Sequence, residues 1–218
     1  MDGLETMPEK LRLTTPVLVI GGGVTGTGIA RDLSLRGIRS IVIEKETINA
    51  GASGRNHGLL HSGARYVKGD LSSAIECKKE SDILKKIAPH CIEDTKGLFV
   101  ATKDDRTDYI DLFPVLCKKA GIHCEKLSVN EALEIEPALS KDIIAAFRVE
   151  DASVEPFHVS LENMSQAIEK GAQYFNFCRV TRFVRSKGKI VRVIARDIVN
   201  KAQIEVEPEI VINAGGAW

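Results

Sequence analysis

The stretch Pro16-Val17-Leu18-Val19-Ile20-Gly21-Gly22-Gly23-Val24-Thr25-Gly26 decides the fold. Its first residues are apolar without alternation, as a strand buried on both faces of a parallel sheet should be. The glycines break that strand, and a helical pattern follows from about Val24 to Arg36. Gly37 stands where a helix C-cap glycine is expected. Ser40 to Glu44 reads as a second strand, completing a βαβ start. In Gly21-x-Gly23-x-x-Gly26, the first glycine allows the tight turn and the second lets the backbone approach a pyrophosphate. The third lets the helix pack on the strand. Free N–H groups and the helix dipole favour an anion at that end, and Ala30 keeps the helix close one turn later. Glu44 ends the second strand, at the spacing where a carboxylate accepts hydrogen bonds from ribose hydroxyls. A carboxylate there repels a 2′-phosphate, which argues against NADP.

Outward from this frame, residues 45–69 follow neither period and are rich in Gly, Ser, Asn and His. Their densest part is Gly51-Ala-Ser-Gly-Arg-Asn-His-Gly-Leu-Leu-His-Ser-Gly-Ala-Arg-Tyr66. Donors and permissive backbone at that density suit a loop beside a large planar ligand and an anionic substrate. A plain glycine-rich surface loop is the alternative.

Leu71 to Ala88 reads as an amphipathic helix with Leu71, Ile75, Ile83, Leu84 and Ile87 toward one side. A strand is expected near Gly97 to Ala101, and a helix over Asp104 to Ala120 that Pro114 must kink or split. Ser128-x-x-Glu131 opens another helix with a capping box. Apolar residues at Phe157, Leu161, Met164 and Ile168 give a helix that ends at Gly171. Strands are expected at Tyr174 to Cys178, Val180 to Arg185, Ile190 to Val199 and Glu209 to Asn213, with Lys187-Gly188 as a hairpin turn.

Lys plus Arg number 30 and Asp plus Glu number 30 among 218 residues. That balance argues against a nucleic-acid binder and against a membrane anchor built from surface charge. No apolar run approaches the ~20 residues of a spanning helix, and Met1 to Thr15 lacks the apolar middle of a secretory signal. Five cysteines without a C-x-x-C pair fit small buried residues in a reducing, cytoplasmic setting. No metal site is expected.

Val17 to Tyr66 resembles the amino terminus of the FAD-dependent glycerol-3-phosphate dehydrogenases, in the flavoprotein group that includes D-amino-acid oxidase. The run from Gly51 to Tyr66 is especially similar to the A subunits of the anaerobic enzymes. The likeness continues through Ile87-Ala-Pro-His-Cys91, Gly97-Leu-Phe99, Glu136-Pro137, Val154-Glu-Pro-Phe157 and Val211-Ile-Asn-Ala214. The resemblance implies that Gly21, Gly23, Val24, Thr25, Gly26, Glu44 and Lys45 hold the ADP half of FAD. Ser53, Gly54, Arg55, Asn56 and Gly58 would follow the pyrophosphate and ribityl chain, with Leu59, Leu60 and His61 against the flavin ring. Val180 would make a backbone contact to adenine, and Ala214 and Gly215 would form a turn near the cofactor. Arg65 and Tyr66 resemble positions that grip the substrate phosphate, for which an arginine fork is suited. Two roles remain open for His61: base for the C2 hydroxyl proton, or packing and hydrogen bonding to the flavin. His57 fits a structural or cofactor-side role, and His123 carries no special signal.

The expected fold is therefore α/β, a doubly wound Rossmann-like FAD-binding domain over 1–70 and 150–218. Residues 71–149 are expected to be an inserted part of an α+β substrate domain. The closing Asn213-Ala-Gly-Gly-Ala-Trp218 has a glycine where the family has a second alanine. Family members continue well beyond it, so the chain reads as truncated at its carboxy terminus. The implied activity is oxidation of glycerol 3-phosphate to dihydroxyacetone phosphate, with electrons passed to quinone through partner subunits. It would take place at the cytoplasmic face of the membrane, with peripheral attachment through those partners. Two alternatives stand beside it: another oxidase of the group acting on an amine or hydroxy acid, and a non-catalytic FAD-binding fragment.

Overall fold

A computed structural model describes residues 10–217; residues 1–9 and Trp218 lie outside the described residues, and with them most of the stretch from Met1 to Thr15. In chain order the elements begin β1 (Lys10–Ile20), α1 (Val24–Leu35), β2 (Ser40–Ile43), β3 (Leu59–Leu60), α2 (Leu71–Ile87) and β4 (Ile92–Glu93). Next come β5 (Gly97–Thr102), α3 (Asp108–Lys119), β6 (Cys124–Leu127), α4 (Val129–Ile135), β7 (Ile143–Val149) and β8 (Ala152–Val154). Last are α5 (Pro156–Glu169), β9 (Gln173–Phe175), β10 (Cys178–Ser186), β11 (Lys189–Asp197) and β12 (Gln203–Asn213). Two compact units result, 1–56 with 156–218, and 57–155. Residues 57–70 and 150–155, grouped by sequence with the cofactor-binding segments, thus pack with the inserted unit.

The first unit is built on a six-stranded sheet of order β10-β11-β12-β1-β2-β9. β12, β1, β2 and β9 are parallel, while β10, β11 and β12 form an antiparallel meander. Val17, Val19 and Val42 face α1 and α5 on one side, packed with Ala30, Met164 and Ala167. Leu18, Ile41 and Ile43 face the other way, against Val193, Ala195, Ile204 and Val206. A doubly wound sheet would carry helices on both faces; among the described residues both helices of this unit share one face, and strand residues supply the opposite core. β1 begins earlier than its continuous apolar run. Leu11 and Leu13 join the core, and Lys10 reaches the buried carboxylate of Glu205 on β12 at 2.9 Å. β12 likewise starts at Gln203, ahead of the expected Glu209, because its alternating first half pairs with β11. Lys187 and Gly188 both take positive φ, 48° and 78°, as a tight hairpin turn requires. The strand expected over Tyr174 to Cys178 stops at Phe175, and Phe177 has φ 52°.

The second unit holds two antiparallel three-stranded sheets, β3-β8-β4 and β5-β7-β6. Phe113 on α3 sits at its centre, with ring centroids 5.0 Å from Phe99 and 5.4 Å from Phe147. Truncating it with Phe113→Ala should cost about 3–5 kcal/mol through the cavity left behind, read as a lower denaturant midpoint. α3 starts at Asp108, not Asp104, because Asp105 closes a turn by accepting from the Thr102 amide at 2.7 Å. Pro114 does not split it: the helix runs unbroken from Asp108 to Lys119. The capping box forms, with Ser128 accepting from the Glu131 amide and Glu131 accepting from the Ser128 amide.

α2 turns a different face inward than its periodicity predicts. Ala74 and Ser81 are buried, while Leu71, Ile75, Ile83 and Ile87 are exposed. The cause is close approach: a Cβ on Gly63 would lie 2.4 Å from the Ala74 carbonyl oxygen, so small residues define the contact.

Candidate cofactor cleft and substrate-side turn

In the first unit, the ends of β1, β2 and β12 converge on one cleft. Gly21, with φ 115°, passes so close to the chain leaving β12 that a Cβ there would lie 2.3 Å from the Ala214 carbonyl oxygen. The Gly21 amide donates to the Ile43 carbonyl at 2.8 Å, and the Ala214 amide to Ile20 at 2.8 Å. Main-chain bonds thus join the three strand ends. A Cβ on Gly26 would fall 1.9 Å from the Gly21 carbonyl oxygen, which is the close helix–strand packing expected of the third glycine.

Glu44 organises both sides of the turn. Its carboxylate accepts from the Gly22 amide at 2.6 Å and from the Glu46 amide at 2.8 Å. Beside it lies Tyr174, whose buried hydroxyl has no hydrogen-bond partner among the described residues. Burial, reinforced by the Glu44 charge, pushes that phenol up to about 12. Ser53 comes from the short turn Ala52–Gly54, and its Oγ accepts from the Val24 amide at the head of α1 at 3.0 Å. Gly23 supplies no side-chain cap, and the first turn of α1 holds no acidic residue, so the helix itself adds no negative charge where an anion would meet its N–H groups.

The resulting cleft, about 390 Å³, is lined by Gly21, Gly23, Thr25, Glu44, Lys45, Ser53, Arg55, Ala214 and Gly215 among others. A smaller neighbour of about 160 Å³ shares Gly21, Glu44, Lys45 and Gly215, and adds Val180. Glu46, Ala50, Gly51, Ala52 and Gly216 also line the larger cleft, and Cys178 and Arg179 the smaller. Sequence reasoning did not name these residues as cofactor-binding. Most contribute position or main chain, for which side-chain type is no guide. Cys178 is buried, and its thiol is pushed up to about 11, chiefly by burial, as fits a packing residue. Val24 and Gly26 serve the turn itself. Gly54 packs where a Cβ would lie 2.3 Å from the Asn49 carbonyl oxygen, and Asn56 donates to the Ser53 carbonyl at 2.7 Å. Asn49, buried with φ 61°, anchors this loop by donating to the Pro156 carbonyl at 3.0 Å. An asparagine in a glycine-rich loop was the only hint of it, since asparagine tolerates the left-handed region.

Gly58, Leu59, Leu60, His61, Arg65 and Tyr66 belong to the second unit. Leu59 and Leu60 form β3, paired with Ser153 and Ala152. His57 accepts from the Leu59 amide through Nδ1 at 3.1 Å, a local turn bond. The next turn, Ala64–Tyr66, follows Gly63 at φ 95°. It brings together Arg65 and Tyr66, which the resemblance places at the substrate phosphate, and His61, for which two roles stay open. The His61 ring meets Tyr66 edge-on with centroids 5.5 Å apart, and the Arg65 guanidinium carbon lies 5.4 Å from the same ring centre. Nδ1 of His61 is shielded from solvent and has no hydrogen-bond partner among the described residues. Arg65 is exposed, and no carboxylate pairs with it among the described residues. The His123 amide donates to Glu150 at 2.6 Å.

A parallel sheet, a glycine turn without side-chain obstruction and a carboxylate held at the second strand's end define a Rossmann-like nucleotide-cofactor fold of the flavoprotein kind. Residues 16–218 match the family described as FAD dependent oxidoreductase, and the chain belongs to that family. It is 46% identical over 206 residues to the A subunit of the anaerobic glycerol-3-phosphate dehydrogenase of Haemophilus influenzae, covering 94% of this chain and 37% of that protein. A solved glycerol-3-phosphate dehydrogenase from Bacillus halodurans, complexed with FAD, is 28% identical with a TM-score of 0.70, covering 94% of this chain and 35% of that one. L-proline dehydrogenase from P. horikoshii is also 28% identical, with a TM-score of 0.79, covering 95% of this chain and 54% of that one. The chain thus spans a little over a third of the length of its glycerol-3-phosphate dehydrogenase relatives.

Proposed function

We propose that this chain carries the FAD cleft and the substrate-side turn of a glycerol-3-phosphate dehydrogenase. Electrons would leave to a quinone through partner subunits at the cytoplasmic face of a membrane. The residues fit FAD. Gly21 to Gly26 and Ala214 to Gly215 offer main chain at close approach, Glu44 offers a carboxylate for ribose, and α1 offers its amino-terminal N–H groups to the pyrophosphate. Val180 borders the smaller cleft, which suits adenine. When bound, the flavin supplies the hydride acceptor. Arg65 would then pair with the substrate phosphate, Tyr66 would brace Arg65, and His61 would accept the C2 hydroxyl proton.

The observation that carries the reading is the gathering of His61, Tyr66 and Arg65 in one turn, with the arginine lacking a carboxylate partner. The name of the H. influenzae relative supports glycerol 3-phosphate as substrate, and its being one subunit of an enzyme supports partners. Among the described residues no helix is long and apolar enough to cross a membrane. The likeness to L-proline dehydrogenase favours a second reading, oxidation of an amine, whose substrate carboxylate Arg65 would suit as well as a phosphate. A third reading is a chain that binds FAD without turnover.

One experiment separates the three. The purified chain is saturated with FAD, and its spectrum is followed anaerobically as glycerol 3-phosphate, glycerol or L-proline is added. Bleaching by glycerol 3-phosphate alone supports the proposal, bleaching by proline supports the second reading, and none supports the third. Arg65→Lys should raise the apparent Michaelis constant for glycerol 3-phosphate about tenfold, since a lysine cannot pair two oxygens at once. Equal loss of rate with unphosphorylated glycerol would remove Arg65 from the phosphate site.

A further inference from the structure

We propose that Asp151 is the positioning residue that fixes the turn carrying His61, Arg65 and Tyr66. The inference rests on the substrate reading of that turn. Asp151 lies between β7 and β8, and the register Leu60↔Ala152 sets it beside the chain as it leaves β3. It is only 4% exposed. Its Oδ1 accepts twice from Ser62, from the amide at 2.6 Å and from the hydroxyl at 2.7 Å. Ser62 is fully buried, and no Lys or Arg pairs with Asp151 among the described residues.

A buried carboxylate without a cation is costly unless hydrogen bonds satisfy it. Here the bonds are spent on a single residue, next to His61. The fold makes room for the arrangement: a Cβ on Gly97 would lie 2.9 Å from both Cβ and Oδ2 of Asp151. The following residue, Gly63, is wedged against α2 at the Ala74 carbonyl. Ser62 is thus held from one side and Gly63 from the other, leaving the turn one conformation in which His61 and Arg65 both meet Tyr66. Rigid support of this kind is what holds reacting groups to within fractions of an ångström.

The test compares the wild-type chain, Asp151→Asn and Ser62→Ala, each saturated with FAD. Three quantities are read: the FAD dissociation constant, the rate of flavin reduction by glycerol 3-phosphate, and amide exchange across residues 61–66. Asp151→Asn should slow reduction about tenfold or more, leave FAD affinity within about twofold, and speed exchange in the turn. Ser62→Ala, which keeps the amide bond, should show a smaller effect of the same pattern. Wild-type rate with unchanged exchange in Asp151→Asn overturns the proposal, as does a loss of FAD affinity in step with rate. An unreactive wild-type chain would instead overturn the substrate reading; exchange in the turn then decides on Asp151 alone. If Asp151→Asn fails to fold, Ser62→Ala carries the same comparison.

Discussion

Gly26→Ala should destabilise the chain by about 3 kcal/mol, lowering its melting temperature by roughly 6–12 °C, and should abolish FAD binding. The added methyl would lie 1.9 Å from the Gly21 carbonyl oxygen, and backbone cannot swing aside as a flexible side chain does. Either α1 lifts off the sheet or the glycine turn opens. Lifting α1 also disturbs its packing through Ala30 against Met164 and Ala167 on α5. Opening the turn withdraws the N–H groups that would face a pyrophosphate. Differential scanning calorimetry and flavin fluorescence quenching read the two losses separately. A variant that melts at the wild-type temperature and binds FAD normally would show that α1 does not pack in this way.

Glu44→Ala is the second large effect, expected to weaken FAD binding about 30- to 100-fold, from charge-assisted bonds each worth about 1.5–3 kcal/mol. Glu44 does more than offer a carboxylate to ribose, because it also fastens Gly22 and Glu46 across the mouth of the cleft. Its removal leaves both amides without their acceptor. Tyr174 reports the same change, since the Glu44 charge helps keep its phenol protonated. The tyrosine titration should therefore move down in Glu44→Ala, seen by ultraviolet absorbance. Glu44→Gln, which keeps one oxygen as acceptor, should lose less affinity. Unchanged FAD affinity in Glu44→Ala would refute the ribose assignment.

The βαβ start and the glycine turn were legible because each rests on local rules: an unbroken apolar strand, glycines at fixed spacing, and a carboxylate at a strand end. The hairpin at Lys187-Gly188 and the capping box at Ser128 were legible for the same reason. Helix faces were not. α2 exposes Leu71, Ile75, Ile83 and Ile87, and α5 exposes Phe157, Leu161 and Ile168 while burying Val159, Ser160, Met164 and Ala167. Both helices approach a neighbour closely along small residues, and a hydrophobic stripe says nothing about that. β7 escapes a sequence reading because Ile143-Ile144-Ala145-Ala146-Phe147 shows no clean alternation of apolar and polar residues; its place comes from pairing with β5 and β6 on either side. At the candidate site, residue type singles out Glu44, Ser53, His61 and Arg65 as candidates, and their roles stand as proposals. It does not single out Asp151 and Asn49, because each acts through a partner distant in sequence.

The contact between Gly21 and Ala214 also constrains the order of events in folding. The glycine turn is synthesised early, yet its far wall is the chain after β12, and all of 57–155 is made in between. Loop closure over such a separation is slow relative to local structure, so the nucleotide cleft should be among the last features to form. A nascent chain short of β12 has half a cleft and nothing for the cofactor to select. Once β12 pairs with β1, FAD would bind the finished sheet and should stabilise it by mass action. Added flavin would then act on the survival of the folded chain more than on the rate at which it folds.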